Sequence, residues 1–197
     1  LEPQSALFRF AARSMFGRSL IDRRLEMYVA EAARAAGLSK LEELSCFNTA
    51  ITQLDTTGLS SLINLHCSNT GITVLDVAEL TALESLACNN TGITALDVAE
   101  LTNLKTLKMG HNALTNLNAI SVLTGLTELD VSYNSLVSVL PLAGCPSLKD
   151  LDISHNYIDS LSGAENLFGL NYLYAAYNKL TSADPISGCV QLIELNL

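Results

Sequence analysis

Residues 67–80, CSNTGITVLDVAEL, return at residues 88–101 as CNNTGITALDVAEL, with two substitutions and an offset of 21. A phrase that recurs at fixed spacing is the mark of a repeat architecture, in which one unit cannot bury its apolar side chains alone. Each copy opens on a cysteine. The recurrence therefore poses two alternatives, a periodic scaffold with small apolar thiols or a thiol site built for chemistry.

Working outward, the pattern L-x-x-L starts at Leu41, Leu62, Leu83, Leu104, Leu126, Leu148, Leu170 and Leu192, at intervals of 21, 21, 21, 22, 22, 22 and 22. Ten residues after the first seven starts stand Ile51, Ile72, Ile93, Leu114, Leu136, Ile158 and Leu180, which completes L-x-x-L-x-L-x-x-N-x-L, the leucine-rich repeat. Each unit is expected to hold a short strand whose alternate side chains point inward, followed by an arc that returns over the far side. The ninth motif position holds Thr49, Thr70 and Thr91, then Asn112, Asn134, Asn156 and Asn178. An inward amide there can pair with backbone groups that would otherwise be buried without partners, and a hydroxyl can do part of that work.

The fold class is thus an α/β leucine-rich repeat solenoid, curved, with parallel strands on the concave face and a helical cap at its start. Residues 1–40 form the cap, since Leu25, Tyr28, Val29, Ala32 and Ala36 share a helical face and Gly37 follows where a helix would stop. Residues 41–197 form about eight rungs, the last incomplete. Rungs of 21 residues end in I-T-x-L-D, at Ile51–Asp55, Ile72–Asp76 and Ile93–Asp97, whereas those of 22 place Leu123, Cys145, Leu167 and Cys189 three residues before the next start. Two subtypes are joined in one chain.

Cys46, Cys67 and Cys88 occupy the sixth motif position, where later rungs have Met109, Val131, Ile153 and Ala175. Apolar equivalents favour packing. Thiols on successive rungs form a column at about 4.8 Å spacing, and a column cannot encircle a zinc ion that needs ligands converging at about 2.3 Å. Parallel side-chain vectors also suit a disulfide poorly. Five reduced, packed cysteines are expected, with one strained disulfide as the alternative. No metal and no cofactor are called for.

The combination L-x-x-L-x-C-x-N-T-x-I-T-x-L-D, at Leu41–Asp55, Leu62–Asp76 and Leu83–Asp97, resembles the cysteine-ladder repeats of internalin-like bacterial surface proteins. The 22-residue units resemble the commoner internalin or SDS22-like type. The resemblance implies a non-catalytic, protein-binding module of a bacterial surface or secreted protein, extracellular, that grips its partner with the concave face. A cytoplasmic SDS22-like scaffold or regulatory subunit is an alternative, and a fragment of an effector with a further C-terminal domain is another. The chain begins at Leu1 without methionine or a secretory signal and reaches Leu197 inside a rung. It reads as a piece of a longer protein, with Leu192, Leu195 and Leu197 on an apolar edge that more chain, or another copy in an oligomer, would cover.

Charge narrows the partner. Residues 1–38 carry six arginines and four acids; the remainder has five lysines against sixteen acids, a net of −11. Nucleic acid draws affinity from clustered cations, so an acidic body argues against it and leaves a basic protein as the alternative. No apolar run approaches the length of a membrane span, which excludes membrane insertion of this stretch.

Outward strand positions supply the candidate surface: Glu43, Asn64, His66, Lys108, Glu128, Asp130, Asp150, Asp152, Tyr172, Tyr174 and Glu194. At motif position eight, His111, Tyr133, His155 and Tyr177 follow on adjacent rungs. Tyrosines suit binding because they offer contact area with little rotamer entropy to lose. The alternative is that these rings stack on one another and serve stability, as cross-strand pairs do. The partner-binding set is accordingly His111, Glu128, Asp130, Tyr133, Asp150, Asp152, His155, Tyr172, Tyr174 and Tyr177. Only His66, His111 and His155 could act as imidazoles, and the nearest catalytic constellation is His155 beside Asp152 with Asp130. Catalytic motifs such as G-x-S-x-G and H-E-x-x-H are missing from the chain. An enzyme is not expected.

Overall fold

The computed structural model describes residues 38–197, so all but the last three positions of the cap read at residues 1–40 lie outside the described residues. Eight strands recur at the repeat interval: β1 Glu43–Ser45, β2 Asn64–His66, β3 Ser85–Ala87, β4 Thr106–Lys108, β5 Glu128–Asp130, β6 Asp150–Asp152, β7 Tyr172–Tyr174 and β8 Glu194–Asn196. They form one parallel sheet in sequence order. Register keeps motif positions aligned, with Glu128 opposite Asp150, Asp150 opposite Tyr172, and Tyr172 opposite Glu194. A strand of three residues is too short to stand alone, and each takes its hydrogen bonds from the rungs on either side.

The middle leucine of each strand points inward while its two neighbours face out. Leu65, Leu86, Leu107, Leu129, Leu151 and Leu173 are buried, as are the motif starts Leu62 to Leu170 and the arc positions Leu59, Leu80, Leu101, Leu123 and Leu167. Full burial of such a side chain contributes about 1.5–3 kcal/mol. These residues join into one continuous core that runs the length of the described solenoid. On β8, the equivalent Leu195 is 46 % exposed, because no rung packs on its outer side in the described residues.

The two subtypes differ on the return arc. In the three 21-residue rungs, the carboxylates of Asp55, Asp76 and Asp97 accept the amides of Thr57, Ala78 and Ala99 at 3.0–3.1 Å, closing a turn two residues on. This gives the terminal Asp of I-T-x-L-D its role. In the longer rungs the same kind of turn comes earlier, on Asn116, Ser138 and Ser182, which accept from Asn118, Leu140 and Asp184. A 3-10 segment then follows at Asn118–Val122, Leu140–Gly144 and Asp184–Ile186. The rung starting at Leu148 makes the turn on Ser160, which accepts the Ser162 amide, without a 3-10 segment.

The ninth position links rung to rung. Asn134 accepts the Leu114 amide at 2.9 Å and donates to the carbonyls of Met109, Val131 and Ser132 at 3.0–3.1 Å. Asn156 repeats the arrangement with Leu136, Val131, Ile153 and Ser154. Thr49, Thr70 and Thr91 each reach a single carbonyl of their own rung, that of Cys46, Cys67 or Cys88. At the junction of the two subtypes Asn112 accepts from both the amide and the hydroxyl of Thr91, and from the amides of Gly92 and Ile93.

Removing an amide from this column strands groups in two rungs at once. Asn134→Ala is expected to lower unfolding free energy by about 2–4 kcal/mol, and Thr70→Ala by about 1 kcal/mol. Denaturant midpoints at constant m-value measure both; equal losses would contradict the inter-rung role of the amide.

Candidate functional site: the strand face and its flanking ring column

Position eight is left-handed in all seven rungs, with φ between 52° and 59° at Asn48, Asn69, Asn90, His111, Tyr133, His155 and Tyr177. An L-residue in this region costs roughly 1–2 kcal/mol, and Asn tolerates it best through local hydrogen bonding. Asn48, Asn69 and Asn90 form a ladder, the side-chain amides of Asn69 and Asn90 donating to the side-chain oxygens of Asn48 and Asn69 at 2.8 and 3.0 Å. His111, Tyr133, His155 and Tyr177 continue the column by stacking. Their ring centroids lie 4.0, 3.9 and 4.1 Å apart, with planes within 15° of parallel. The inner ring faces are therefore turned to one another, and Tyr177, at the end of the column, is stacked on one face only and 75 % exposed.

The outward strand acids divide into two kinds. Asp130 accepts the amide and hydroxyl of Ser132 at 3.0 and 2.7 Å, and its other oxygen takes the Asn89 side-chain amide at 3.3 Å. It reaches so far across its neighbour that a Cβ on Gly110 would stand 2.8 Å from its carboxylate, which explains a glycine there. Asp152 likewise holds the amide and hydroxyl of Ser154 at 2.9 and 2.6 Å. Both brace the turn that leads to the ring column. Glu128 pairs with Lys108 at 2.6 Å. Among the described residues, Asp150 makes no side-chain hydrogen bond or ion pair.

On β7 the pair Tyr172 and Tyr174 faces outward. Burial and a hydrogen bond to the Glu194 carboxylate hold the Tyr174 phenol above its ordinary range, with the nearby charges of Tyr172 and Asp150 acting in the same direction. At the far end His66 stacks on Phe47 at 4.7 Å, and its imidazole is held neutral to lower pH by desolvation and then by Lys108. The set chosen from the sequence thus falls into a stacked column, two braced acids, and an outward group of Glu128, Asp150, Tyr172 and Tyr174. His155 lies between two tyrosines, and no hydrogen bond joins it to Asp152. The sequence reading passed over Asn89 and Ser132, whose contacts to Asp130 carry no motif signal.

All five thiols are free and buried. Burial pushes Cys46 and Cys88 up to about 12 and Cys145 to about 11 from an ordinary 9.0. Cys67 rises further, by burial and then by repulsion from Cys88 and Cys46 on the adjoining rungs. Cys145 also donates to the Ile120 carbonyl at 3.2 Å, so on the arc a thiol does what leucine cannot. Among the described residues no group of histidines, cysteines and carboxylates could hold a metal ion.

This arrangement of in-register strands, amide column and arc defines a leucine-rich repeat solenoid. Residues 124–166 match the model of a family described as leucine-rich repeats in two copies. Among solved structures, internalin C2 of Listeria monocytogenes is 29 % identical with a TM-score of 0.76, over 78 % of this chain and 70 % of that one. InlJ of the same organism, whose functional domain is described as including a cysteine ladder, is 31 % identical with a TM-score of 0.62, over 80 % of this chain and 39 % of that one. InlF, also from Listeria monocytogenes, shares the fold at 22 % identity and a TM-score of 0.72, over 80 % of this chain and 54 % of its own. The comparison with curated proteins returns no match. The chain thus has a leucine-rich repeat fold similar to that of the internalins, with Cys46, Cys67 and Cys88 at one motif position on successive rungs.

Two outcomes follow from the site's geometry. Tyr133→Ala removes a ring stacked on both faces and should cost about 1–2 kcal/mol of stability, against less than about 0.5 kcal/mol for Tyr172→Ala; equal effects in thermal melts would contradict the division of roles. Above pH 9.0 the unfolded chain releases thiol protons that the folded chain retains, so stability is full below that value and falls as pH rises towards about 12. Denaturation midpoints that stay level across that window would contradict burial of the ladder.

Proposed function

We propose that the chain is a non-catalytic protein-binding module of a bacterial surface or secreted protein, and that its partner lies against the strand face. The carrying observation is the contrast between neighbouring side chains. His111, Tyr133, His155, Asp130 and Asp152 are held by stacking or turn hydrogen bonds within the solenoid, whereas Asp150 and Tyr172 face outward from β6 and β7, with Tyr174 beside them bonded to Glu194. A preformed surface with aromatic side chains loses little entropy on binding. The likeness to internalins supports an extracellular setting. Among the described residues no helix is long and apolar enough to cross a membrane.

Catalysis finds little support, since the acids nearest His155 are tied into turns and the imidazole is stacked. The free thiols would tolerate a reducing cytoplasm, but burial shields them elsewhere too. A photo-crosslinking residue placed on the strand face at Thr106 or Asp150, and on the arc at Thr115 or Ser138, tests the reading against extracellular protein mixtures. Discrete protein adducts from the strand positions alone are expected. Adducts confined to the arc positions would contradict it.

A further inference from the structure

We propose that the part of the strand face formed by β6, β7 and β8 seats a lysine or arginine side chain of the partner, over the Tyr172 and Tyr174 rings and between the carboxylates of Asp150 and Glu194. The inference rests on the partner-binding reading above and adds the chemistry of what is bound.

Register places these groups together. Asp150, Tyr172 and Glu194 are directly opposite one another in one row, and Asp152 and Tyr174 are opposite in the next outward row. The row spacing of paired parallel strands, about 4.8 Å, puts a carboxylate on either side of Tyr172 within reach of a single cation. Lys108 is the one lysine or arginine on the eight strands, and it is committed to Glu128 at 2.6 Å. The other ion pair among the described residues, Lys105 with Glu84, likewise leaves Asp150 and Glu194 without a cation from those residues. Desolvation and then the Glu194 hydrogen bond raise the Tyr174 phenol, and the carboxylates of Glu194 and Asp150 also act to raise it.

Among the rings carried by the strands themselves, Tyr172 and Tyr174 stand apart, whereas Phe168 and Tyr177 are exposed but lie off the strands. Among the described residues the position-eight rings face each other, Phe47 faces His66, and Tyr157 already lies under Lys179 at 5.1 Å. Tyr172 and Tyr174 take part in no ring pairing. A cation above an aromatic face gains from the ring quadrupole, and flanking carboxylates add charge-assisted hydrogen bonds. A neutral apolar anchor would leave the Asp150 carboxylate desolvated without a partner, at a cost that disfavours it.

The test titrates the isotope-labelled chain with an octapeptide of alternating glycine and arginine, and with its glutamine counterpart, at low and raised salt. Amide shifts concentrated at residues 150–152, 172–174 and 194–196 with the arginine peptide only are expected, weakening with salt. The double variant Tyr172→Leu, Tyr174→Leu, which keeps every carboxylate, should weaken binding by about fivefold or more, and Asp150→Asn should weaken it too. Neutralising exposed acids away from the face, Glu100→Gln with Asp159→Asn, should leave affinity nearly unchanged. Shifts scattered over the acidic surface, equal losses from both sets of variants, or equal binding of the glutamine peptide would overturn the inference. Protein crosslinks from the strand face without localised arginine binding would also overturn it while leaving the partner-binding reading intact.

Discussion

A rung of 21 or 22 residues cannot satisfy its own backbone. It carries a strand of three residues and an arc of tight turns, and its buried amides and carbonyls find partners in the rungs before and after it. The constraint has the force of a cost, since each buried polar group left unmade loses about 1–3 kcal/mol. Register then follows, because only in-register rungs bring an Asn134 amide beneath the Met109 carbonyl and the Leu114 amide above its oxygen. Leucine burial supplies most of the driving force, and the polar column selects which stacking is allowed.

The same constraint sorts the surface. Where the chain leaves the strand it must turn through the left-handed region, and seven consecutive rungs meet that demand with Asn, His or Tyr. In the first rungs the amides make a hydrogen-bonded ladder, and in the later ones stacked rings replace it. The change coincides with the switch from 21 to 22 residues and from threonine to asparagine at position nine. Both columns offset local strain by contact between neighbours, so the rings next to the strand face contribute to the framework.

Much of this was legible in the sequence. Eight leucine starts located eight strands, and an alternating pattern predicted which residues of each strand point outward. The thiol column and the inward asparagines were readable because repetition places equivalents side by side, and Met109, Val131 and Ile153 reveal what Cys88 is for. Two features were not legible. The sequence left binding and stacking open for His111, Tyr133, His155 and Tyr177, since ring orientation depends on a backbone dihedral that spacing does not report. Nor did it separate Asp130 and Asp152 from Asp150, for a carboxylate that braces a turn and one that faces outward have the same motif neighbourhood. The 3-10 arcs at Asn118–Val122, Leu140–Gly144 and Asp184–Ile186 also escaped, because segments of three to five residues are too short to show helical periodicity.

Native-state hydrogen exchange tests the central claim most directly. The amides of Leu114 and Leu136 are bonded to side-chain oxygens of the following rung, at 2.9 and 3.0 Å. If satisfaction between rungs holds the solenoid together, both should exchange only through cooperative unfolding of several rungs, with the same dependence on denaturant as strand amides such as that of Leu129. Rapid exchange of these two amides while the strand amides stay protected would show that the asparagine column is incidental, and the account would fail.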